Sequence, residues 1–222
     1  MPKRNKSFLR DHSLSIVFLG AFFLFWAGQS FVGHHHDNDE RKAHGQPPVT
    51  YAQYVTSSDF LEATFENWES EFFQMGALVI LAAFLRQRGS GESQDPDKDK
   101  HEEDGDLKPI PGAPWAVLRG GWVLKVYSHS LSLALFGLFL ICFVLHAFSS
   151  AAASNEEARL HGQPEVTVLR HAASSTFWFE SLQNWQSEFL SVGALVLLSV
   201  WLREKGSPES KPVNAPHSKT GK

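Results

Sequence analysis

The chain has a single cysteine, Cys142. It cannot form an intramolecular disulfide. It lies inside an apolar run, where a thiol acts as a small packing group. The motifs that usually announce a catalytic centre are missing: no phosphate-cradling glycine loop, no nucleophile elbow and no HExxH pair. There is no basic patch with interleaved aromatics and the net charge is −4, so no nucleic-acid partner is expected. Formal charge is also absent from long internal stretches, and this last absence carries the most information.

Leu14 to Gly33 is an apolar run of twenty residues without formal charge, and Leu131 to Ser149 is another of nineteen. About twenty apolar residues cross a hydrocarbon core about 30 Å thick. The mean hydropathy of −0.20 hides this, because charge gathers in tails and linkers.

The chain repeats itself. Asn67-Trp68-Glu69-Ser70-Glu71-Phe72 recurs as Asn184-Trp185-Gln186-Ser187-Glu188-Phe189, 117 residues later, each followed by an apolar run with Gly-Ala-Leu-Val. At the same offset His12-Ser13-Leu14-Ser15 matches His129-Ser130-Leu131-Ser132, and His44-Gly45-Gln46-Pro47 matches His161-Gly162-Gln163-Pro164. Gly89-Ser90-x-Glu92-Ser93 matches Gly206-Ser207-x-Glu209-Ser210. No insertion or deletion intervenes, although loops normally tolerate them. The loops therefore have structure of their own.

Each half has a second, less obvious span. Phe72 to Leu85 and Phe189 to Leu202 are too short alone. Extended backward through the NW[EQ]SEF block they reach about twenty-one residues. Their outer turns then carry carboxylates, with Trp68 and Trp185 as interface anchors. The alternative is a surface-lying or re-entrant helix. The expected spans are about 14–33, 65–86, 130–149 and 182–203. They divide the chain into a first two-span repeat (1–93), an acidic disordered linker (94–114), a second two-span repeat (115–210) and a disordered tail (211–222).

Lys and Arg number sixteen in the tails and linker and four in the loops 34–60 and 150–176. The positive-inside rule puts both termini in the cytoplasm, with the first span a retained signal anchor. Each repeat goes out and returns, so the two are parallel. In the outer loops, Asn38 to His44 and Asn155 to His161 read as short helices, with the asparagines as caps and Gly45 and Gly162 past the ends. Farther on, Phe60, Leu61, Thr64, Phe65, Trp68 and Phe72 lie near one helical face, with Glu62, Glu66 and Glu69 on another.

Residues present in both halves are the candidates for chemistry. Glu71 and Glu188 near the outer ends of spans could line a proton, cation or ligand site, or stand as wet carboxylates near a helix N-terminus. His44 and His161 could titrate beside them, or hydrogen-bond the last carbonyls of a helix. Asn67 and Asn184 read as polar interhelical contacts, and Gly76 and Gly193 as points of close packing. His12 and His129 read as helix caps. His34, His35 and His36 form a weak metal candidate, since the second half has Ala151-Ala152-Ala153 there. No cofactor is expected.

Taken together, the HSLS, HGQP, NW[EQ]SEF and RxxGSxES blocks resemble a family of uncharacterised bacterial transmembrane proteins described as a domain of unknown function. The resemblance covers nearly the whole chain and implies a multi-span bacterial membrane protein, with no functional residues to carry over. The expectation is an all-α, four-helix integral membrane protein of two parallel tandem hairpins, with short amphipathic helices in the outer loops. It is expected in the inner membrane as a non-enzymatic structural or interaction protein. Its partners would be the lipid bilayer and a second copy or another membrane protein. The rivals are a small transporter or channel using Glu71 and Glu188, with Asn67 and Asn184 as further ligand or proton-site candidates, and a membrane enzyme joining His44 or His161 to a carboxylate.

Overall fold

In a helix, the last four carbonyls and first four amides lack intrahelical partners, and this chain answers some of them with polar side chains. The computed structural model describes residues 8–97 and 110–221. The first basic residues and the middle of the expected linker lie outside the described residues. All regular structure among the described residues is helical: α1 (Phe8–Asp11), α2 (Ser13–Ala43), α3 (Tyr51–Tyr54), α4 (Ser58–Phe84), α5 (Trp115–Arg119), α6 (Gly121–Ser128), α7 (Ser130–Leu160), α8 (Val168–Ala172) and α9 (Ser175–Leu198).

Helices α2 and α7 are each 31 residues, and both are long and apolar enough to cross a membrane. They run on beyond the expected spans. The separate helices expected from Asn38 and Asn155 do not form, because nothing after Gly33 or Ser149 breaks the hydrogen-bond ladder. The helices end instead at Gly45 (φ 70°) and Gly162 (φ 65°), both in the left-handed conformation that favours glycine.

The two asparagines are mid-helix clamps. Asn38 Oδ1 accepts from the Val49 amide at 2.7 Å, and its Nδ2 donates to the Val49 carbonyl at 3.1 Å. Asn155 makes the same pair with Val166, at 2.8 and 2.9 Å. Each clamp fixes the strip of chain that leaves the helix end, so a one-residue insertion would break it. That is the physical reason for the fixed loop length.

The remaining ends follow suit. Thr50 and Gln53 form a capping box on α3, and Thr167 accepts from the Arg170 amide on α8. Ser57 and Ser174 accept from Phe60 and Phe177 at 3.3 Å, at the starts of α4 and α9. At the far ends, Arg86 donates to the Ala82 carbonyl at 3.3 Å and Arg203 to the Ser199 carbonyl at 3.1 Å. His12 and His129 occupy N-cap positions but make no capping bond, contrary to expectation. Their rings are too long to turn back onto the first-turn amides as Ser or Thr does.

The chain separates into two compact units, Met1–Glu62 and Ala63–Lys222. In the first, Ser30 and Tyr51 hydroxyls hydrogen-bond at 2.7 Å, and Phe60 is buried against the Tyr54 ring at 5.4 Å. The Tyr54 hydroxyl lies 2.1 Å from where a Cβ on Gly33 would stand. Only glycine leaves room for it.

In the second unit, α7, α9 and the later part of α4 meet through aromatic rings. Phe73 lies 4.6 Å from Trp185, 5.1 Å from Phe139 and 5.6 Å from Phe189. Gly76 accepts the Phe136 ring, 3.0 Å from the position of an added Cβ, whereas Gly193 faces open space and makes no such approach. Large apolar side chains of α7, including Leu131, Leu140, Ile141 and Phe148, are exposed. The tail after residue 210, expected to be disordered, folds back. Lys211 is buried, and its ammonium donates to the carbonyls of Gly89, His217 and Lys219.

Candidate functional site: a buried histidine among carboxylates

The residues present in both halves go mostly to scaffolding. His44 and His161 are exposed, and their Nδ1–H groups donate to the Glu40 and Glu157 carbonyls at 2.9 Å each. They finish helix ends by bonding last-turn carbonyls. Asn67 is exposed and donates to the Ala63 carbonyl of its own helix. Glu71 is exposed and Glu188 half-buried, within electrostatic reach of each other. Trp68 is half-buried, edge-on to Phe65 at 5.8 Å.

His34, His35 and His36 lie on α2, where successive side chains point about 100° apart and do not converge. His34 Nε2 contacts the Val49 carbonyl at 2.8 Å, and exposed His36 faces Glu40 at 3.5 Å.

A different set of side chains meets inside the second unit. His146 of α7 and Glu69 of α4 are each 0 % exposed, with Nδ1 and Oε2 3.1 Å apart. The other oxygen of Glu69 accepts from the Trp185 indole at 3.2 Å. Trp185, expected as an interface anchor, thus turns inward. Glu69, expected on a different helical face from Phe60, Trp68 and Phe72, is buried because α7 and α9 each supply it a donor. Beside them, Asn184 donates to Glu66 Oε1 at 2.5 Å.

On the other side of the imidazole, His146 Nε2 lies 3.7 Å from Glu180 Oε2. Ser150 Oγ donates to the same Glu180 oxygen at 3.1 Å, and His171 Nε2 stands 2.8 Å from Ser150 Oγ. A serine hydroxyl has one hydrogen. With that hydrogen on Glu180, His171 must be the donor to Ser150. Phe177, fully buried, covers the centre with its ring 4.8 Å from that of His146. Burial pushes the His171 imidazole below its ordinary value of 6.5, with Glu180 opposing and His146 reinforcing the shift.

The arrangement fixes a tautomer and leaves a gap. A carboxylate can only accept, so the Glu69–His146 bond puts a hydrogen on Nδ1. In the neutral ring Nε2 then carries a lone pair directed into protein. It is buried and has no hydrogen-bond partner among the described residues. A lone pair facing a carboxylate at 3.7 Å is unfavourable unless something positive lies between them. Three carboxylates, Glu66, Glu69 and Glu180, surround one imidazole that can carry at most one positive charge. Buried charge of one sign is expensive until it is compensated.

Asn184, Trp185 and Phe177 recur in the first half as Asn67, Trp68 and Phe60, but the histidines, the serine and the carboxylates of the centre do not. Positions 117 residues away from His146, Ser150, His171 and Glu180 hold Gln29, Gly33, Tyr54 and Ala63; those matching Glu66 and Glu69 hold Gln183 and Gln186. The signal in the sequence was a lone histidine inside an apolar run, together with carboxylates where the other half has amides or alanine.

A family model described as a domain of unknown function (DUF6766) matches residues 5–222. No curated protein and no solved structure matches the chain.

Proposed function

The chain belongs to this family of unknown function, and from its own residues we propose that it is an integral membrane protein whose helices enclose a cation-holding centre at His146. Its role is binding rather than turnover. The observation that carries the reading is the buried His146–Glu69 pair in the interior of apolar α7, with Glu180 beyond it. Ionisable groups inside membrane helices are costly and mark ion or proton sites.

Four crossings follow if α4 and α9 also span. At 1.5 Å per residue they are about 40 and 36 Å long, enough for a core about 30 Å thick. Exposed apolar side chains on α7 and α9 suit contact with lipid. The distribution of Lys and Arg supports a reading with both termini on the cytoplasmic side of an inner membrane and two parallel hairpins. His146 then lies roughly 24 Å along α7 from Ser130, toward the outer face.

The test uses the full chain in lipid nanodiscs, with the imidazole nitrogens of His146 followed by NMR. The expected result is a saturable change on addition of one cation, protons included, absent in His146→Gln. A ring indifferent to every cation and to pH would overturn the reading.

A second reading, a small transporter, has one observation in its favour: Glu71 and Glu188 come within electrostatic reach. It requires that changing both to Gln alter ion flux in liposomes.

A further inference from the structure

We propose that His146 Nε2 and Glu180 Oε2 are two ligands of one divalent first-row transition-metal ion, with Glu69 and Ser150 as the residues that position them. The proposal rests on the cation-centre reading and specifies the cation.

Geometry comes first. Ligand atoms about 2.1 Å from a shared ion stand about 3–3.5 Å from each other. The 3.7 Å between Nε2 and Oε2 is within a few tenths of an ångström of that. It is too long for a hydrogen bond and needs only a small rotamer adjustment to close on an ion. The Nε2 atom is buried and unpartnered among the described residues, whereas buried polar atoms are otherwise nearly always bonded.

The supporting contacts have the form that metal centres use. A metal-bound imidazole typically donates its second N–H to a carboxylate, which fixes the tautomer and raises the basicity of the ligating nitrogen. Glu69 stands in that place at 3.1 Å, itself steadied by Trp185. Glu180 is oriented by Ser150, and Ser150 by His171. Glu66 supplies a further carboxylate within electrostatic reach of His146 and Glu180.

Chemistry narrows the ion. Three carboxylates favour a divalent over a monovalent charge. An imidazole nitrogen among oxygen donors favours zinc, iron, cobalt or manganese over magnesium or calcium.

The experiment uses the full chain in detergent, stripped with chelator, in a His35→Ala/His36→Ala background that removes exposed surface ligands. Co(II) is the probe and Zn(II) the competitor. One Co(II) per chain is expected, with visible bands that Zn(II) abolishes and with paramagnetic broadening centred on the His146 ring. His146→Gln and Glu180→Gln should each weaken binding at least ten-fold, and Glu69→Gln by about 10–100-fold. Broadening in the unsubstituted pair decides the matter even if a variant loses its helical signal. Uptake unaffected by His146→Gln, or broadening elsewhere, would overturn the assignment. A chain that takes up no Co(II) while His146 still responds to protons overturns the metal and leaves the cation centre standing; a ring that responds to neither overturns both.

Discussion

Nδ1 of His146 and Oε2 of Glu69 stand 3.1 Å apart in a wholly buried position, across 77 residues of sequence. The pair joins α4 to α7. Its cost without partners sets what substitution should do. Removing one member of a buried pair leaves the other unpaired, at about 3–5 kcal/mol. His146→Ala is therefore expected to lower stability by about that amount, and His146→Gln by less because an amide N–H can still reach Glu69. The double change His146→Leu/Glu69→Leu should recover much of the loss, since an apolar pair of similar volume carries no buried charge. Thermal unfolding of His146→Leu, Glu69→Leu and the double variant in one detergent reads the cycle, and additive losses would show that the two side chains do not interact.

Asn155 clamps Val166 through two bonds, and Asn38 clamps Val49 in the same way. Asn155→Ala should cost about 1–3 kcal/mol, because it leaves an amide and a carbonyl of the loop without partners. The measurement is hydrogen exchange at the Val166 amide, which should accelerate markedly. Asn38→Ala should do the same at Val49 and leave Val166 unchanged.

Stability should fall on mild acidification through His171. Its folded-state value lies below the ordinary 6.5 because of burial, with Glu180 and His146 as the charged neighbours. A histidine so shifted is neutral in both states above about pH 6.5. Its contribution is fully present there. As pH drops below that value the unfolded chain takes up the proton first, and the contribution is lost until the folded-state value is passed. Melting temperature against pH should show this decline, flattened in His171→Asn. A decline of equal size in the variant would assign it to other groups.

Gly33 and Tyr54 are matched in size. Gly33→Ala would put a methyl group against the Tyr54 hydroxyl and should cost about 1–3 kcal/mol, as overpacking does. Gly33→Ala combined with Tyr54→Ala should lose less than the sum of the single changes, because the clash exists only when both are present. Equal sums in thermal unfolding would mean that Tyr54 swings away freely.

The helical character of the chain and the two helices long and apolar enough to cross a membrane were legible from charge-free runs such as Leu131 to Ser149. The helix ends were legible at Gly45 and Gly162, where a left-handed residue was required. The reach of α2 and α7 beyond the apolar runs was not, because Asn38 looks the same in sequence as a cap and as a mid-helix clamp. The centre at His146 was missed for a related reason. Repetition in the sequence points to residues such as His44 and Ser57, and these bond their own backbone. A group that must pair with Glu69 across the fold has no local period, and its only trace was a titratable side chain where the other half has glutamine. Burial of Glu69 could not be read from its helical face alone, since the donors that permit it come from α7 and α9.

The enclosed centre requires that α4 and α9 cross the membrane beside α7, and hydropathy alone marks neither of these two as a crossing. Reporters active only outside or only inside the cell, fused after Asp37, Gly91, Ala153 and Gly221, test this most directly. The account predicts outside, inside, outside, inside. Gly91 reporting outside would mean that α4 returns without crossing, and a bundle closed around His146 within the membrane would be contradicted.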